Sequence, residues 1–84
     1  MGIPTLHAYQ HPNGVQVLVW CCHCSLYHWH GHPAGHRAAH CADKASPYRL
    51  GGYNLIDAGH ASAKLLRDSE RRQPRGPKSW EAGQ

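Results

Sequence analysis

Cys21-Cys22-His23-Cys24-Ser25-Leu26-Tyr27-His28-Trp29-His30 is the stretch that decides how this chain folds. With His32, His36, His40 and Cys41 just beyond it, all four cysteines and six of the nine histidines fall within positions 21–41. Thiolate and imidazole are the ligands that a borderline-soft, four-coordinate Zn²⁺ takes. Cys21-x-x-Cys24 supplies two of them from one tight turn, and a later His/Cys pair closes the tetrahedron. Cys21, Cys24 and Cys41 are therefore assigned to a zinc ion. The fourth ligand has several candidates: His40 first, because it adjoins Cys41, then His30, with His28 and His36 also within reach. Cys22 sits in the middle of the knuckle, where side chains point outward, and reads as a bystander thiol. His7, His11 and His60 read as surface or hairpin-pairing residues.

Size calls for a stabilising device beyond the core. A chain of 84 residues forms one small domain that its core stabilises only marginally. There is no Phe and one Met, and the aliphatic residues gather in residues 15–19, 50–56 and 65–66. Such a domain needs a metal, disulfides or oligomerisation. Disulfides belong to secreted chains, and the N-terminus lacks the basic region and apolar core of a signal peptide. The longest apolar run, residues 15–22, is too short to cross a bilayer. Both features predict a reduced, cytoplasmic setting with thiolate–metal chemistry.

Outward from the knuckle, residues 5–20 read as a β-hairpin. Thr5 to Tyr9 makes the first strand and the β-branched Val15 to Trp20 the second, around His11-Pro12-Asn13-Gly14. After the knuckle, residues 26–30 form a strand, residues 31–35 a turn, and residues 36–41 a return strand that brings Cys41 back beside Cys24. Residues 42–47 read as a polar loop, and Tyr53 to Ile56 as a last strand after the Gly51-Gly52 bend. Residues 61–72 have helix-forming composition, with Leu65 and Leu66 facing the domain. From Gln73 onward, Pro74-Arg75-Gly76-Pro77 predicts a disordered tail. The expected architecture is a small metal-stabilised, β-rich, zinc-ribbon-like domain over residues 1–60: two hairpins plus a last strand. A basic, partly helical to disordered tail follows over residues 61–84.

Cys21-x-x-Cys24-x-x-x-His28-x-His30-Gly31, followed by Gly35-His36-Arg37-x-Ala39-His40-Cys41 and Gly52-Tyr53-x-Leu55, resembles small zinc-ribbon-like proteins of actinobacteria and their phages. The resemblance covers about residues 15–56. Cys22 stands where those proteins usually carry Pro, and Ser25 where they carry glycine. Most of them are uncharacterised, so the resemblance implies a metal fold and a mobile-element origin without an activity.

Net charge is +4 with histidine neutral, and six of the nine basic residues lie after residue 60. Asp68, Glu70 and Glu81 offset them in part. Three functions are weighed on this basis. The first is an interaction module that binds a host protein, with residues 27–30 as the contact strand. The second is a nucleic-acid-binding zinc ribbon in gene regulation, reaching phosphates through the basic tail, with Arg37, Lys44 and Arg49 contributing. The third is an HNH-like nuclease built from Asn54, His60 and Lys64. In that motif the Asn-to-His spacing is longer and a Cys-x-x-Cys accompanies the final histidine, so it ranks last and the chain is read as a non-enzyme.

Overall fold

The computed structural model describes residues 3–31, 34–38, 46 and 48–77. Five strands make one sheet: β1 (Thr5–Gln10), β2 (Val17–Cys21), β3 (Leu26–His30), β4 (Gly35–Arg37) and β5 (Tyr53–His60), in the order β3-β2-β1-β5-β4. Two short helices, α1 (Tyr48–Gly51) and α2 (Ala63–Ser69), flank β5 in the chain. The protein is thus small and β-rich, as its sequence predicts.

The first hairpin forms with Tyr9 opposite Leu18 and Gln10 opposite Val17. Its second strand starts two residues later than the β-branched run predicts. The Asn13 side-chain oxygen accepts the N–H groups of Val15 (2.9 Å) and Gln16 (3.0 Å), which withdraws both from strand pairing. β2 then turns directly into β3, with Cys21 opposite Leu26, Val19 opposite His28 and Val17 opposite His30. The knuckle is itself the turn of a hairpin.

That pairing differs from the expected one, in which residues 36–41 return along residues 26–30. β4 instead lines β5, with His36 opposite Asn54 and Arg37 opposite Tyr53. A four-residue turn closes β2 onto β3 at small entropic cost, and β5 is long enough to offer β4 an edge. The predicted return of Cys41 to the knuckle lies outside the described residues.

β5 runs parallel to β1, with Thr5 opposite Asn54 and Leu6 opposite Leu55. It continues four residues past the predicted end at Ile56. A bulge near its far end carries it on: Gly59 takes φ +88°, Asp57 Oδ1 accepts the Gly59 N–H at 2.8 Å, and the Gln10 amide donates to the same carboxylate at 2.8 Å. At the near end Gly52, φ +69°, admits no side chain, because a Cβ there would run into the Arg37 carbonyl.

Both faces of the sheet are covered around β2, whose five residues are all buried. One face packs Leu6, Ala8, Val17, Val19, Cys21, Tyr53 and Leu55 with Tyr48 of α1. The other packs Leu18, Trp20 and Tyr27 under Leu65 of α2, with Tyr9 and Leu66 at the margin. The helix is shorter than predicted. Ser62 caps it by accepting the Leu65 N–H at 3.1 Å, and it ends at Ser69.

Beyond α2 the chain lies on the sheet as far as Pro77, where composition predicts disorder from residue 73. Pro74 is buried, and Gly76, φ +83°, sits so close to the Trp20 indole that a Cβ would overlap the ring. Asp68 holds this segment, accepting the N–H groups of Arg75 and Gly76 at 2.9 Å each and the Tyr27 hydroxyl at 2.8 Å. A carboxylate reaching forward to two backbone amides leaves no trace in composition. Among the described residues, no helix is long and apolar enough to cross a membrane.

Candidate metal centre

The end of β2, the turn and the middle of β3 bring Cys21, Cys24 and His28 together. Their ligating atoms all lie within 4.8 Å of one another. A tetrahedral zinc ion with ordinary bond lengths spaces such atoms by about 3.6–3.8 Å, so a small inward movement of the three side chains suffices to hold an ion. Cys21 is fully buried, His28 is 9 % exposed, and Cys24 is partly buried. Two sulfurs and an imidazole in a nearly dry corner suit a metal of borderline softness.

The backbone of the turn is shaped for this. Ser25 N–H donates to the Cys21 carbonyl at 2.9 Å, and Cys24 N–H donates to Cys21 Sγ at 3.4 Å. Ser25 adopts φ +54°, the left-handed conformation that glycine takes without cost. The turn after the second cysteine therefore forms despite the serine. We expect Ser25→Gly to stabilise the fold by about 0.5–1 kcal/mol, as relief of the left-handed strain exceeds the added chain entropy. Thermal unfolding of the two proteins checks this, and an unchanged or lower midpoint contradicts it.

The predicted ligands divide into three groups. Cys21 and Cys24 are in the cluster. His30 lies on the same face as His28, two residues along β3, and its Nε2 stands 2.6 Å from the Tyr53 hydroxyl. His40 and Cys41 lie outside the described residues. His28, weighed from sequence only as a possible ligand, occupies the third corner. The signal for it was present: once the knuckle is a four-residue hairpin turn, Val19 must face His28, and alternation puts His28 on the side of Cys21. His36 is engaged elsewhere, its Nε2 2.6 Å from the Gly51 carbonyl.

Aromatic rings wall this face. Tyr48 and Tyr53 meet edge-on at 5.3 Å, His30 meets Tyr53 at 5.6 Å, and His23 meets Tyr48 at 4.7 Å. Cys21 belongs to the same packed cluster as both tyrosines, and Cys24 borders it. Cys22 lies outside the cluster of three, with Sγ 3.8 Å from the Tyr48 hydroxyl. Cys22→Ser should keep metal stoichiometry and change stability by less than about 1 kcal/mol, since a serine hydroxyl can also meet Tyr48. Metal analysis of the purified variant decides it, and loss of metal would move the knuckle register.

Asn54 and His60, the pair behind the nuclease reading, stand at opposite ends of β5. Six residue steps along the strand place them roughly 20 Å apart, so they do not share a site. Compared with family models, curated proteins and solved structures, the chain matches none.

Proposed function

We propose that the protein is a zinc-stabilised interaction module, of phage or mobile-element origin as the resemblance implies, acting in the cytoplasm by binding a host protein. The juxtaposition of Cys21, Cys24 and His28 carries the metal part of this reading. Zinc is favoured over other metals by the sulfur–nitrogen donor set, with the fourth position assigned from the sequence to Cys41 or His40. With all four positions taken by protein, the ion has a structural role. A reducing compartment keeps the thiolates available.

For the protein contact, the expected strand over residues 27–30 narrows to fewer side chains. Tyr27, His28 and His30 are buried, whereas Leu26 and Trp29 are 48 % and 44 % exposed. Trp29 lies at 5.4 Å from the His11 ring. An exposed tryptophan is the residue type that most often anchors a protein interface.

Native mass spectrometry tests the metal, with about one zinc ion per chain expected and Co²⁺ substitution giving the strong visible bands of a tetrahedral thiolate site. A folded protein that takes up neither ion overturns the reading. A nucleic-acid role is the second reading, favoured by Lys64, Arg71 and Arg75, which converge on one cleft. Salt separates the two, because phosphate-driven binding falls steeply with ionic strength and aromatic-anchored protein binding does not.

A further inference from the structure

On the face of the sheet away from Cys21 and His28, a cleft of about 440 Å³ opens between β1, β3, α2 and the segment that ends at Pro77. Its walls include the rings of Tyr9 and Tyr27 together with Leu65 and Pro77, and its rim carries Lys64, Arg71 and Arg75. Among the described residues, Asp68 is the one carboxylate that lines it. That carboxylate is already met by the Tyr27 hydroxyl and the N–H groups of Arg75 and Gly76, with Arg71 Nε 3.9 Å away. Among the described residues, the rim therefore carries more cations than carboxylates. Lys64, Arg71 and Arg75 are all exposed, and the charges of Lys64 and Arg75 face a ligand beyond the Arg71–Asp68 pair.

Taken together, the walls and the rim specify the ligand. Clefts of about 300–1,000 Å³ hold small ligands or single units of a polymer. Cations at the mouth call for an anion, and arginine matches phosphate oxygens with a planar fork of donors. Tyr9, partly exposed on the wall, offers a ring on which a flat group can stack, and arginine planes can do the same. An acidic peptide would use the charges and leave the rings idle. The geometry points to a nucleotide site: the cleft takes one phosphate-bearing aromatic unit, either free or as part of a single strand. This assignment rests on the nucleic-acid reading and locates it on particular residues.

The test uses the full zinc-loaded chain and a fluorescein-labelled oligothymidylate of about ten nucleotides, within the span that one small domain covers. Lys64→Glu with Arg75→Glu should weaken binding at low salt by more than about tenfold, through loss of two phosphate partners. Arg67→Glu with Arg72→Glu changes the net charge equally outside the cleft and should weaken it by less than about threefold. Tyr9→Leu, which keeps the wall apolar and removes the ring, should cost about tenfold, the worth of one stacked base. Thermal midpoints of all variants establish that each is folded.

Displacement of the oligomer by thymidine monophosphate identifies a site for the free nucleotide. Displacement by longer single strands alone identifies a site for the polymer, and either result supports the cleft. Equal weakening by the two charge reversals overturns the cleft while leaving nucleic-acid binding in place. Absence of oligonucleotide binding to the intact chain removes both. Displacement by polyglutamate at equal charge, with Tyr9→Leu unaffected, replaces the nucleotide with an acidic peptide and overturns the assignment.

Discussion

Stripping the metal with a chelator, or replacing Cys24 with alanine, is expected to unfold the sheet. Structural zinc in small domains contributes roughly 10–16 kcal/mol of apparent binding free energy, and whole domains are stable by only about 5–15 kcal/mol. The loss would not stay at the knuckle. Cys21 is continuous with Val19, Leu6, Leu55, Tyr53 and Tyr48 in one packed layer, so freeing the β2–β3 turn opens the core that joins β1 to β5. Amide spectra of zinc-loaded and chelated protein check this, with collapse of the dispersed signals of β1, β2, β3 and β5 expected. Retention of dispersed signals throughout after complete removal of zinc would sink the structural-metal reading. Cys22→Ser serves as the control, because it alters the same turn without touching the cluster.

Asp68→Ala should lower stability by about 3 kcal/mol, since hydrogen bonds to a charged acceptor contribute about 1.5–3 kcal/mol each and these three are not additive. In a domain of this size that corresponds to a fall in Tm of roughly 12–24 °C. Truncation after Arg72 should cause a comparable loss, because it removes the buried Pro74 and the Gly76 that sits on the Trp20 indole. Composition alone predicts that this truncation is silent. Burial by itself would raise the Asp68 carboxyl pKa. The amides of Arg75 and Gly76, the Tyr27 hydroxyl and the Arg71 guanidinium outweigh burial and leave the pKa below the ordinary carboxylate value.

A group lowered in this way contributes stability above its unfolded pKa and loses it as pH falls through the folded one. The stability gap between wild type and Asp68→Ala should therefore be constant from neutral pH down to about pH 5 and close only below the usual carboxylate range near 3.9. Denaturant unfolding from neutral pH to about pH 2 measures the gap, and a gap that stays constant or widens as pH falls through that range shows that the carboxylate is not held low. Tyr27, its partner, is shifted upward by burial first and then by the Asp68 hydrogen bond, so its hydroxyl keeps donating throughout.

Local pattern carried far in this chain. The alternation of Val17, Val19 and Cys21 against Leu18 and Trp20 is the alternation of the two packed faces. Pro12-Asn13-Gly14 marks the first turn, and Cys21-x-x-Cys24 marks the second with two metal donors on it. These features depend on residues a few positions apart, where strand period and turn chemistry act directly. Partner choice is different in kind. Nothing near residues 35–37 says that they will lie along β5, and nothing near residues 5–10 says that β5 will join them in parallel from some fifty positions away. Such pairings are settled by which edges remain open once the short hairpins have closed.

From its sequence alone, then, this protein has a β-rich chain, a Cys-x-x-Cys knuckle at residues 21–24 and a basic C-terminal third, because composition and short spacings set those properties. Tertiary structure alone decided three others: that His28, among the described histidines, faces both cysteines, that Asp68 ties residues 75 and 76 beside Trp20, and that Lys64, Arg71 and Arg75 share one cleft with Tyr9. Each of these joins groups whose positions follow from strand register or from packing across the sheet. Register and packing are chosen by the free energy of the whole assembled core and not by any one segment.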